Sequence, residues 1–266
     1  MKIIIPGAGG RMGRFLVTAI ANTPNAQLVG ATEYPASPFI GQDAGALAGV
    51  GALNVPIEAA LSDAMLQNAD TIIDFSTGDV VENAKRAAAA GLNIVIGKTA
   101  LSDADKLALR ELAANGAKIV QTYNFSVGVN LLFHLSALAG KLLQDDFDIE
   151  IIEAHHNQKK DAPSGTALQL ADAIVNATEH VSDDVIYGRH GIPGARPKRE
   201  IGIHAVRGGD IVGDHTVLFA GNGERVELTH KASSRMTFAK GAVRAAAWLA
   251  TAAPGYYDMQ DVLGLR

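Results

Sequence analysis

Short runs of β-branched residues alternate with stretches of helical spacing through the first half of the chain. Ile3–Ile5 is apolar at every position and ends in glycines, the pattern of a strand buried on both faces. Arg14–Ala21 follows, with Phe15, Leu16, Ala19 and Ile20 at helical spacing. Gln27–Ala31 predicts a second strand that ends at Thr32-Glu33, and Thr71–Phe75, Asn93–Ile96 and Lys118–Gln121 predict further buried strands. Between them Val80–Ala90 is Ala-rich and helical. Ser102 caps the next helix, with Asp105 at its third position and Gly116 just past its end. This alternation implies an α/β fold: a Rossmann-type, doubly wound parallel sheet with right-handed crossovers and helices on both faces.

The texture changes after Asn124-Phe125-Ser126. Residues 127–143 predict an apolar helix, Asp148–Glu153 a strand, and residues 164–177 another helix. Beyond residue 185 the pattern is strands and tight turns. Ile201–Val206, Ile211–Val212, Thr216–Ala220 and Arg225–Thr229 are separated by Arg207-Gly208-Gly209-Asp210 and Gly221-Asn222-Gly223-Glu224. Glycine-rich turns between such runs are hairpin signals. They predict a second, α+β domain with an open mixed sheet and helices on one face. Residues 238–250 form an Ala-rich helix containing Trp248.

Composition narrows the class. The chain has 266 residues, 48% hydrophobic and 19% charged, enough for one large or two modest domains with a substantial core. A net charge of −5 argues against a general nucleic-acid binder. There is no cysteine, which removes disulfides, thiolate nucleophiles and Cys-based zinc sites and fits a reducing cytoplasm. The apolar run Ile3–Ile5 is too short for a signal peptide and no stretch is long enough to span a membrane. The expectation is a cytoplasmic protein.

Two motifs carry chemistry. Gly7-Ala8-Gly9-Gly10-Arg11-Met12-Gly13 lies between the first strand and first helix, the context of a dinucleotide loop. Glycines there permit a tight turn and close approach of backbone to pyrophosphate at a helix N-terminus. Glu33, about 20 residues past Gly13, stands where a carboxylate bonds the adenosine ribose. With Tyr34 rather than an arginine beside it, Glu33 favours NADH; Arg11 and Arg14 are near enough to assist a phosphate, so NADPH stays open. The second motif runs Glu153-Ala154-His155-His156-Asn157-Gln158-Lys159-Lys160-Asp161-Ala162-Pro163-Ser164-Gly165-Thr166. Histidine moves protons near neutral pH, lysine holds positive charge, and a helix start offers N–H groups to an anion. Adjacent histidines on an extended segment point to opposite sides and rarely chelate one ion, so no metal is expected. A hydrolase nucleophile at Ser164 lacks the G-x-S-x-G elbow, and Asp161 or Ser164 is better read as an N-cap. Lys160 reads as surface.

With both motifs in hand, the chain resembles the dihydrodipicolinate reductase family of the lysine and diaminopimelate pathway over essentially its whole length. Asn124-Phe125-Ser126-Val127-Gly128-Val129-Asn130, Gly209-Asp210-Ile211-Val212-Gly213 and His230-Lys231-Ala232-Ser233-Ser234-Arg235-Met236 add to the resemblance. It implies a homotetramer that uses NADH or NADPH to reduce 4-hydroxy-tetrahydrodipicolinate. Residues 1–126, with 236–266 returning to them, would bind the dinucleotide, and residues 127–235 the substrate and the partner subunits. His155 would be the catalytic acid/base and Lys159 a second proton donor, with His156, Gly165 and Thr166 holding substrate. Gly7, Ala8, Gly9, Gly10, Arg11, Met12, Glu33, Gly97, Thr99, Thr122, Asn124 and Phe125 would contact the cofactor. A different reductase on the same layout, or a dinucleotide sensor, would share the glycine loop but does not call for the segment 153–167.

The chain departs from the family's pattern at Gly97-Lys98-Thr99-Ala100, where Gly-Thr-Thr-Gly is usual. Lys98 puts a bulky cation in place of a small hydroxyl, and alanine at position 100 makes a positive φ costly. A shifted loop, or a new contact from Lys98 to a phosphate or carboxylate, is the expectation. Thr122-Tyr123 stands where smaller residues are common.

Overall fold

A computed structural model of the chain describes residues 1–99 and 101–266. The expectation for Ala100 lies outside the described residues. In chain order the elements are β1 (Lys2–Pro6), α1 (Arg11–Ala21), β2 (Gln27–Thr32), α2 (Ala44–Ala48), β3 (Ile57–Glu58), α3 (Asp63–Gln67), β4 (Thr71–Asp74), α4 (Val80–Ala89), β5 (Asn93–Ile96), α5 (Asp103–Ala114) and β6 (Lys118–Gln121). They continue with α6 (Val127–Leu143), β7 (Asp148–His155), α7 (Gly165–Val175), β8 (Val185–Tyr187), β9 (Ile201–Arg207), β10 (Gly213–Ala220), β11 (Arg225–Ala232), α8 (Met236–Leu249), β12 (Gly255–Tyr257) and α9 (Met259–Leu263). The chain divides into two compact units, Met1–Ser126 with Arg235–Gly264, and Val127–Ser234.

In the first unit a seven-stranded parallel sheet has the order β12-β6-β5-β4-β1-β2-β3. Strand order reverses beside β1, so the loop after β1 opens at the topological switch point, where such sheets bind ligands. Both faces are covered. Ile3, Ile5, Ile73, Val95 and Val120 pack with residues of α1 and α8, while Ile4, Ile72, Ile94, Ile96 and Ile119 pack with residues of α3, α4 and α5. Double coverage is why these strands read as unbroken apolar runs. Helix α5 starts in the capping box foreseen for Ser102 and Asp105. Gly241 lets α8 lie on the chain at Phe125, since a Cβ there would stand 1.8 Å from the Phe125 carbonyl oxygen.

In the second unit a five-stranded mixed sheet has the order β11-β10-β7-β9-β8. Helices α6 and α7 cover one face through Leu132, Leu170 and Ile174, packed on Ile149, Ile151, Ile203, Val217 and Phe219. The alternation expected of a half-covered sheet is clean in β10, whose odd positions are buried. One expectation fails. Ile211–Val212 is not a strand, and Arg207-Gly208-Gly209-Asp210 is not a hairpin turn. β7 lies between β9 and β10, parallel to the first and antiparallel to the second. The glycine segment instead crosses the end of β7, where the Gly208 N–H donates to the His155 carbonyl at 2.9 Å. Gly221-Asn222-Gly223-Glu224 does turn the chain between antiparallel β10 and β11, with Gly223 at φ +93°.

Candidate active site

The inward-facing positions of β7 run Ile149, Ile151, Glu153, His155. Core thus gives way to polar chemistry within one strand face. Strand register sets Glu153 against His215 of β10 and His155 against Arg207 of β9. The Glu153 carboxylate is fully buried and accepts from four groups. These are the His155 Nδ1 at 2.6 Å, both terminal nitrogens of Arg207 at 2.8 Å, and the Ser164 backbone N–H at 2.9 Å. With Nδ1 committed to Glu153, the other ring nitrogen of His155 is the one available for a reacting group. Gly213 keeps that side open, because a Cβ there would lie 3.0 Å from Nε2.

Ser164 is the N-cap of α7. Its Oγ accepts from the Ala167 N–H at 3.1 Å and lies 3.0 Å from Nε2 of His215. The choice between Asp161 and Ser164 is thereby settled for Ser164. Gly165 begins the helix in open space, with no atom within 4 Å of an added Cβ, and Thr166 follows half-buried in the first turn. That turn carries no acidic residue, and although the Ser164 cap takes the Ala167 N–H, its positive dipole end favours an incoming anion. Lys159 binds Asp161 at 2.8 Å, and Arg207 holds the Asp161 carbonyl at 2.6 Å. His156 is half-buried, its backbone N–H bonded to the Ile211 carbonyl at 2.8 Å, while Lys160 is exposed as expected of a surface lysine. The structure gathers His155, Lys159, Gly165 and Thr166 around one strand end and helix start.

Glu153, Arg207 and His215 were not singled out from the sequence. Glu153 had a readable signal, an acid at an inward position of an alternating strand. Arg207 and His215 come from neighbouring strands and depend on register.

Buried charge makes this unit acid-sensitive. Burial alone would raise the Glu153 carboxyl, but the bonds from His155, Arg207 and the Ser164 N–H outweigh it and bring it from 4.5 to about 2. Burial, then repulsion from His155, brings His215 from 6.5 down to about 3. For both groups the unfolded chain binds more protons than the folded one on acidification. Their contribution is therefore complete above pH 6.5, falls first through His215, and falls again below pH 4.5 through Glu153. Thermal midpoints measured across this range should follow that course, and His215→Gln should flatten the upper segment alone. A midpoint that rises on acidification would contradict it.

The dinucleotide features lie in the first unit. Gly7 adopts φ +69°, and the Gly10 N–H closes onto its carbonyl at 3.1 Å. A Cβ at Gly13 would stand 2.1 Å from the Gly7 oxygen, and one at Gly9 2.4 Å from the Phe39 ring. Glu33, at the end of β2, accepts from the Gly9 N–H at 3.0 Å, which brings the acid and the glycine loop together. Arg14 is engaged by the Gly9 carbonyl at 2.8 Å and stacks on Phe39, whereas Arg11 is exposed at the helix start. Ala8 is buried and Met12 half-buried. This glycine cradle at an uncapped helix start, with a carboxylate beside it, fits a dinucleotide. Gly97 is required by Phe75, which a Cβ would meet at 2.2 Å, and Phe75 packs in turn on buried Phe125. Phe125 can therefore offer a ligand only its backbone. Thr122 is buried and bonds Asn124, and Thr99 is exposed. The Lys98 ammonium donates to the Gly78 carbonyl at 2.8 Å, so it braces one loop against another. Among the described residues no group of three or more His, Cys, Asp or Glu is gathered as a metal site, and no helix is long and apolar enough to cross a membrane.

Comparison with known proteins places this architecture. Family models described as dihydrodipicolinate reductase, N-terminus and C-terminus, match residues 1–125 and 128–263. The 4-hydroxy-tetrahydrodipicolinate reductase of Hahella chejuensis is 51% identical over 267 residues, covering 100% of this chain and 99% of the relative. That of Pseudomonas fluorescens is 52% identical over 268 residues, with 100% and 99% covered. A dipicolinate-bound dihydrodipicolinate reductase from Paenisporosarcina sp. TG-14 superposes with a TM-score of 0.74 over 97% of each chain at 24% identity, a likeness of fold. The chain belongs to the dihydrodipicolinate reductase family.

Proposed function

We propose that the chain catalyses the NAD(P)H-dependent reduction of 4-hydroxy-tetrahydrodipicolinate to tetrahydrodipicolinate, with loss of water, in lysine and diaminopimelate biosynthesis. The observation that carries the reading is the pairing of a carboxylate-oriented imidazole, His155 on Glu153, with an open helix start at Gly165-Thr166. When bound, a nicotinamide nucleotide supplies the hydride. Reduction of a conjugated cyclic imine leaves an electron-rich enamine that needs a proton. His155 delivers it from Nε2, a contribution of about 10²–10⁴ in rate. Lys159, held by Asp161, is the second proton donor and faces a substrate carboxylate. Gly165 and Thr166 take a carboxylate on the helix start, with His156 as a further substrate contact.

Gly7, Ala8, Gly9, Gly10, Arg11 and Met12 would hold the pyrophosphate and Glu33 the adenosine ribose, with Gly97, Thr99, Thr122, Asn124 and Phe125 toward the nicotinamide end. The Glu33–Gly9 contact and the commitment of Arg14 to Gly9 and Phe39 favour NADH while leaving room for NADPH. The first unit is thus read as dinucleotide-binding and residues 127–235 as substrate-binding and tetramer-forming. In favour of a homotetramer, Ile152 and Val206 are exposed on the sheet face opposite α6 and α7. A pathway enzyme of this kind, using a diffusible nucleotide, is assigned to the cytoplasm. Steady-state assays with NADH and NADPH test the cofactor reading. NADH should serve well, and a preference for NADPH of about a hundredfold or more would contradict the role given to Glu33 and Tyr34.

A further inference from the structure

We propose that the pair of buried Glu153 and half-buried Arg207 is the positioning element of the site, holding His155 in its Nδ1–H tautomer and fixing the start of α7 from the same carboxylate. The inference rests on His155 as the proton-transfer group. A buried ion pair is weak evidence of a stabilising role, since well-packed apolar residues of similar volume serve a core as well or better. What this pair touches is informative. Glu153 Oε2 meets the His155 ring, Oε1 meets the backbone N–H of the N-cap residue Ser164, and Arg207 spans both oxygens. Arg207 also reaches the Asp161 carbonyl, and the Asp161 side chain holds Lys159. Every other partner of the carboxylate therefore belongs to the segment that moves protons or binds anion.

The donors leave Glu153 one task at His155. An ionised carboxylate only accepts, so the ring nitrogen facing it carries hydrogen and Nε2 is left to take up or release the reacting proton. Arg207 keeps the carboxylate charged and planar between its two contacts, a geometry for which a guanidinium fork is suited and an ammonium is not. Both contacts leave from one rigid carboxylate, so a shift in Glu153 displaces the imidazole and the helix start together.

The test combines ¹⁵N NMR of histidine-labelled enzyme with kinetics. In the wild-type protein neutral His155 should show hydrogen on Nδ1. Glu153→Gln presents an amide where the carboxylate stood. It should move His155 toward the Nε2–H tautomer and lower kcat by about 10²–10⁴-fold. Affinity for dipicolinate, used as the dicarboxylate probe, should change far less, because the glutamine carbonyl oxygen still accepts from the Ser164 N–H that anchors the helix start. In a His155→Ala background the same substitution should cost little further rate, because the two act as a unit. Arg207→Lys keeps the charge, loses the fork, and should give a partial loss of kcat; it serves if Glu153→Gln does not fold. Hydrogen on Nε2 in the wild-type enzyme, or unchanged kcat in Glu153→Gln, would overturn the proposal. Full turnover by His155→Ala would instead strike at the role of His155, and the NMR result would still decide the tautomer.

Discussion

Replacing His155 by alanine should lower kcat by about 10²–10⁴-fold and leave nucleotide affinity unchanged. The magnitude is that of a positioned general acid. The selectivity follows from the division of roles: the glycine loop and Glu33, not His155, are assigned the nucleotide. Removing the imidazole also leaves Glu153 short of one donor, but Arg207 and the Ser164 N–H still neutralise and hold it. The variant should therefore fold and bind nucleotide normally. Turnover within about tenfold of wild type would remove His155 from the reaction.

The second large effect belongs to the other unit. Gly13→Ala should raise the nucleotide dissociation constant by about tenfold or more and destabilise the protein by about 1–3 kcal/mol. The new Cβ would stand 2.1 Å from the Gly7 oxygen and 2.7 Å from the Ala8 Cα. Those are backbone atoms of the loop itself, so relief requires α1 to move away from the turn that opens it. At about 2–4 °C per kcal/mol for a chain of this size, the thermal midpoint should fall by several degrees. Calorimetry with and without NADH checks both parts. Normal stability with normal nucleotide affinity would mean that the close packing of α1 on the loop is not needed.

The first unit was legible from sequence because its strands are covered on both faces, so Ile3–Ile5, Thr71–Asp74 and Asn93–Ile96 carry dense β-branched runs. The capping box of α5 was legible because it is local. Strands β3, β8 and β12, and helices α2, α3 and α9, are too short to impose a period, and the edge strands among them are held by their neighbours. The hairpin expected around Gly208-Gly209 failed for a different reason. Nothing near those glycines records that β7, more than fifty residues earlier, is inserted between β9 and β10. The same insertion brings Arg207 and His215 to Glu153, which explains why the chemistry of 153–167 was readable and its supporting cage was not. Lys98 shows the limit of reading a departure from the family in isolation: its partner is the Gly78 carbonyl, on a loop twenty residues away.

Substrate-dependent nucleotide oxidation decides whether this chain transfers hydride to a cyclic dicarboxylate. Purified protein mixed with NADH should oxidise it only when 4-hydroxy-tetrahydrodipicolinate is supplied, with one nucleotide consumed per tetrahydrodipicolinate formed. No oxidation above background with either NADH or NADPH, under conditions where the protein is folded and binds nucleotide, would contradict it.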